Sequence, residues 1–137
     1  MRKVLIDKKI DEINQKSYSE LIDLLDSYSV NVYHKSLEEL GHEYSVSINN
    51  NILIREDLEP LQEKFILLHE LGHILLHESK ANFFMPNCYR FREEQEANYF
   101  AIKLLEQYLD PLDYAYELSE LGIPLKVITN LRDMGLM

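Results

Sequence analysis

The run His69-Glu70-Leu71-Gly72-His73 carries the residue types of a hydrolytic metal site. On a helix, residues four apart lie about 40° apart around the axis and one turn up, so both imidazoles face the same way. Each can then reach one ion at about 2.0–2.1 Å. Glu70 lies about 100° round from His69, too offset to be a third ligand. It is placed instead to hydrogen-bond a water beside the ion, to take its proton, and so to launch it at a carbonyl carbon. The competing reading is two core histidines on a helix that happens to carry a glutamate. Gly72 argues against it, because glycine inside a helix costs about 1 kcal/mol against alanine. A neighbour that must approach the backbone closely would explain that cost.

A catalytic ion needs a third protein ligand and one open position. His77 continues the face of His69 and His73, but eight residues span about 12 Å of helix, so it cannot share an ion with His69. It reads as a helix-end histidine that interacts with the last carbonyls, or as a contact behind the ligands. The better source is the run Glu93-Glu94-Gln95-Glu96-Ala97-Asn98-Tyr99-Phe100-Ala101. Glu96 flanks a buried stripe of Ala97, Phe100, Ala101, Leu104 and Leu105, whereas Glu93 and Glu94 are expected to start the helix and face solvent. Ala97 and Ala101 would let this helix press against the first at Gly72. By spacing alone Glu96 is as readily a solvated carboxylate as a ligand. No oxyanion donor is assigned: Tyr99, Tyr89, Arg90, His34 and His42 carry no discriminating pattern, and Cys88 reads as incidental.

The elements that must position these residues follow from periodicity and punctuation. Ile6, Ile10 and Ile13 predict a first helix over 4–13. Ser17, with Glu20 three residues on, predicts the capping box of a second helix that carries Leu21, Leu24 and Leu25 and ends near Tyr28. Val30 and Val32, then Tyr44, Val46 and Ile48, alternate with polar neighbours as half-buried strands do. Asn49-Asn50-Asn51 marks a turn into Ile52-Leu53-Ile54, giving about three strands with the last two in a hairpin. Pro60 suits the first turn of the motif helix, which runs from Leu61 to His77 and is apolar on every face at 65–68. Residues 78–92 read as irregular, with Pro86-Asn87 as a turn. The Glu96 helix is expected over 93–108, and two short helices over 112–120 and 124–133.

HELGHILLH followed by EEQEANYFAIKLL resembles the ImmA/IrrE family of small metallopeptidases, found with phage, integrative-element and stress-response regulators. The resemblance covers roughly residues 17–133. It implies an α+β, zincin-like metallopeptidase domain, mostly helical with a small three-stranded sheet. It implies Zn2+ held by His69, His73 and Glu96, with Glu70 as the catalytic base. It also implies a protein substrate, a helix-turn-helix repressor of a prophage or mobile element, presented along an edge strand. Relatives often carry Met-Pro soon after the second motif; here Leu104-Leu105 leads into Glu106-Gln107-Tyr108, which puts the exit from that helix in doubt. The rival readings are a non-proteolytic antirepressor with a structural or weakly active zinc site, and the toxin of a toxin–antitoxin pair.

Length and composition bound these readings. The 137 residues suit one domain, with a core over about 17–108 and a helical segment over about 109–137. The net charge of −10 disfavours direct contact with a nucleic-acid backbone. One cysteine forbids an intramolecular disulfide. The opening residues do not form a signal peptide, and no window nears the roughly 18 apolar residues of a membrane span. A cytoplasmic protein is therefore expected.

Overall fold

Eight elements position the motif residues in a computed structural model that describes residues 1–41, 43–77, 87–105, 129 and 133, with side chains from 91 on in the third stretch. The helices are α1 (Lys3–Lys16), α2 (Leu21–Ser27), α3 (Leu37–Leu40), α4 (Pro60–Leu76) and α5 (Asn87–Leu105). The strands are β1 (Asn31–Lys35), β2 (Ser45–Ile48) and β3 (Asn51–Arg55). The architecture is α+β and mostly helical, as the sequence predicts.

Helix α1 buries Ile6, Ile10 and Ile13, the three positions its periodicity selects. Ser17 does not cap the second helix. It closes α1 in the left-handed region at φ 51°, and its N–H bonds the carbonyl of Asn14. Helix α2 starts only after Glu20, with no side-chain cap. The reason is local: Ser17 lies within reach of an orphan carbonyl of α1, and satisfying it ends one helix rather than starting the next. The capping box lies elsewhere. Ser36 accepts from the Glu39 N–H and Glu39 accepts from the Ser36 N–H, which holds the single turn of α3.

The sheet has the order β1-β3-β2. Strands β2 and β3 form the expected hairpin, from Ser45 opposite Ile54 to Ile48 opposite Asn51, with Asn49 at φ 55° in the turn. Strand β1 pairs parallel to β3, from Asn31 opposite Asn51 to Lys35 opposite Arg55. The central β3 buries Ile52 and Ile54 completely and shows the other face less covered. That leaves β2 with a free edge among the described residues.

Pro60 begins α4, and Phe65, Ile66, Leu67 and Leu68 are all buried, so this helix is enclosed on every side at that level. Helix α5 packs along it, with Ala97, Phe100, Ala101, Leu104 and Leu105 buried as expected. A Cβ on Gly72 would sit 3.0 Å from Phe100 Cδ1 and 3.2 Å from Ala97 Cα. This close approach accounts for the glycine. Helix α5 starts at Asn87, not near Glu93, so residues 87–92 are helical rather than irregular. With no glycine or proline among them, a helix anchored downstream extends back until Pro86 disfavours helix before it. The expected helices over 112–120 and 124–133 lie outside the described residues, apart from residues 129 and 133, which are helical.

Candidate metal centre

The helical register of α4 brings His69 Nε2 and His73 Nε2 to 3.2 Å from each other. The carboxylate of Glu94 on α5 closes the triangle, Oε2 lying 3.2 Å from His69 Nε2 and Oε1 2.9 Å from His73 Nε2. Ligand atoms bonded at about 2.0–2.1 Å to a tetrahedral ion lie about 3.3 Å apart. A triangle with edges of 2.9–3.2 Å is nearly that size, so these side chains fit a divalent ion. Both imidazoles are largely buried, while Glu94 is half exposed and leaves one flank open to solvent.

Glu96, the third ligand that the resemblance implies, is not part of this triangle. It is buried, at 1% exposure, but its oxygens meet Arg2 and His77. The Arg2 N–H and Nε donate to Oε2, Nη2 donates to Oε1, and His77 Nε2 lies 3.1 Å from Oε1. Glu94, near the start of the acidic run, reads in the sequence as a solvated first-turn carboxylate. A usable signal was present in the spacing. Glu94, Ala97 and Ala101 follow i, i+3, i+7, so Glu94 lies one turn from the alanine that faces Gly72. Glu96 lies about 100° round from Ala97.

The charges around the triangle support one another. Burial pushes the Glu94 carboxyl up, but hydrogen bonds from both imidazoles reverse this and hold it far below the usual carboxylate range. Burial likewise disfavours a charged His73, and the Glu94 carboxylate more than offsets that, raising its pKa. Glu96 is held at about 2: burial raises it, and the hydrogen bonds from Arg2 outweigh the burial. An ion entering the triangle would take the place of the imidazole protons in neutralising Glu94.

Glu70 is buried on the neighbouring face of α4, and its Oε1 accepts a 2.8 Å hydrogen bond from Ser45 Oγ at the start of β2. The sheet edge and the motif helix are therefore tied through Glu70. Tyr99 is buried and donates to Asp7 on α1 rather than facing the triangle. His34 lies on the exposed side of β1, 2.5 Å from Glu63. His42 and the side chains of Cys88, Tyr89 and Arg90 lie outside the described residues. His73, His77 and Glu93 form a second group whose ligand atoms converge, but it shares His73 with the first.

A family model described as the IrrE N-terminal-like domain, Peptidase_M78, matches residues 25–119. That span holds His69, Glu70, His73, Glu94, Glu96 and the whole sheet. No curated protein and no solved structure matches the chain.

Proposed function

The chain belongs to the Peptidase_M78 family of metallopeptidases, and from that membership and the side chains at the α4–α5 contact we propose that it is a zinc endopeptidase. The observation that carries the proposal is the convergence of His69 Nε2, His73 Nε2 and the Glu94 carboxylate beside a buried Glu70. Two imidazoles and a carboxylate with an open flank are a ligand set of catalytic zinc. When bound, zinc would polarise the scissile carbonyl and make water acidic enough to lose a proton near neutral pH.

The protein's own groups supply the rest. Ser45 fixes one oxygen of Glu70, which leaves the other to take the proton of the attacking water. The same carboxylic acid then returns the proton to the leaving amine, so that Glu70 acts as base and acid in turn. Strand β2 supplies a backbone on which a substrate can align. Arg55 N–H bonds the Tyr44 carbonyl at 3.0 Å, so hydrogen-bonded pairs alternate through Val46 opposite Leu53 to Ile48 opposite Asn51. The amides and carbonyls of Ser45 and Ser47 then point off the free edge. An extended peptide adding a strand there would run past Ser45 and hence past Glu70.

The substrate we propose is a helix-turn-helix repressor, on the family resemblance carried by HELGH and EANYFA. Glu70→Gln tests the proposal. The variant is expected to keep its zinc and to lose peptide hydrolysis by about 10²–10⁴-fold. Undiminished cleavage by this variant would exclude Glu70 as the base. Undiminished relief of repression without cleavage would favour an antirepressor that acts by capture.

A further inference from the structure

Behind the ligand face of His73, a continuous hydrogen-bonded chain runs to the opposite end of the molecule's sequence. His73 Nδ1 lies 3.0 Å from His77 Nδ1, and His77 Nε2 lies 3.1 Å from Glu96 Oε1. Glu96 is gripped by Arg2 through its backbone N–H at 2.9 Å, Nε at 3.0 Å and Nη2 at 3.0 Å. Arg2 Nη2 also bonds the carbonyl of Leu76, one of the orphan acceptors at the end of α4. The His77 and Glu96 side chains are only 4% and 1% exposed, so water does not substitute for these partners.

Valence fixes the protons along this chain. The guanidinium of Arg2 neutralises Glu96, which is a carboxylate and can only accept. His77 Nε2 must therefore carry the hydrogen that points at it. A neutral His77 then has a bare Nδ1, which accepts, so His73 Nδ1 is the donor. With Nδ1 committed as a donor, the only other proton on His73 is the one its Nε2 gives to Glu94, and a cation that displaced it would find the ring already in the tautomer it requires. His69 has no such support: among the described residues its buried Nδ1 has no hydrogen-bond partner.

The geometry points to Arg2, Glu96 and His77 as positioning residues that fix the tautomer and ring orientation of His73. The buried glutamate of the EANYFA motif would thus serve the ion from behind a ligand rather than as a ligand. Arg2 and α1, which lie outside the residues matched by the family model, would be part of the metal centre's support. This inference rests on the reading that His69, His73 and Glu94 hold a divalent ion.

The test titrates the metal-free full chain with Zn2+ against a chromophoric chelator, and records the visible absorption of the Co2+ form. His77→Phe is expected to weaken zinc binding by about 10–100-fold and to alter the Co2+ bands. His77→Gln, which keeps an acceptor and a donor, is expected to recover most of the affinity. Arg2→Ala, at a side chain that is 44% exposed, is expected to weaken binding severalfold in a chain whose circular dichroism is unchanged. Wild-type affinity in both His77→Phe and Arg2→Ala would overturn the inference and leave the zinc site standing. If His77→Phe does not fold, unchanged affinity in Arg2→Ala overturns it alone. Two ions per wild-type chain and one in His77→Phe would also overturn it, because His73, His77 and Glu93 would then be a site of their own. A wild-type chain that binds no zinc would sink the proposed function itself, and this inference with it.

Discussion

Glu94 and Glu96 are two residues apart, and the difference between them is the most testable point at the scale of the side chain. The triangle of His69, His73 and Glu94 predicts that Glu94→Gln loses zinc affinity by more than the roughly 10–100-fold that outer hydrogen-bond partners control. Glu96→Gln should lose no more than that range, because its influence passes through His77. Chelator competition on the two variants checks the order, and equal losses would mean that the carboxylates are not separated by role. The convergence of His69 and His73 was legible in the sequence because four-residue spacing on a helix is fixed by geometry. The approach of Glu94 to both histidines was not. Periodicity put Glu96 only at the flank of the buried stripe, and it could not show that its partner is Arg2, 94 positions away.

The contact between α4 and α5 is where the element scale decides the site. Gly72 faces Ala97 and Phe100 so closely that a methyl group would need its neighbours to give by a few tenths of an ångström, and one of those neighbours is backbone while Phe100 is fully buried. Gly72→Ala gains about 1 kcal/mol of helix propensity but forces the helices apart, and overpacking typically costs about 1–3 kcal/mol. A lower melting temperature and weaker zinc binding are expected together, since Glu94 rides on the displaced helix. A stabilised variant with normal zinc affinity would show that the contact does not set the site. Most elements were legible in the sequence: the isoleucine period of α1, the Asn turn of the hairpin and Pro60 each announce themselves locally. Two were not. The role of Ser17 depended on which of two helices it satisfied, and the start of α5 depended on packing downstream of it.

At the scale of the whole molecule, side chains join the N-terminal segment to α5 at two points, Arg2 before α1 to Glu96 and Asp7 on α1 to Tyr99. The second gives a pH-dependent signature away from the ligands. Hydrogen bonds from Lys3 and Tyr99 hold the Asp7 carboxyl below its ordinary value of 3.8. A depressed carboxylate contributes stability above about pH 3.8 that is lost as pH falls through its folded value. Tyr99→Phe is therefore expected to cost about 1 kcal/mol near pH 7, with the gap from wild type narrowing below about pH 3.8. Urea unfolding across pH checks this, and a gap that stayed constant into acid would rule out the Asp7 contribution. No described helix is long and apolar enough to cross a membrane. The parallel pairing of β1 with β3 was the part of the topology that the sequence did not reveal, because alternation in a strand says nothing about which neighbour it joins.

The central claim is the identity of the three side chains around one ion, and anomalous diffraction at the zinc edge on zinc-soaked crystals measures it directly. A single peak is expected within about 2.0–2.2 Å of His69 Nε2, His73 Nε2 and a Glu94 oxygen, with Glu96 still held by Arg2 and His77. A peak bonded to Glu96 in place of Glu94, or no peak between the two histidines, would contradict it.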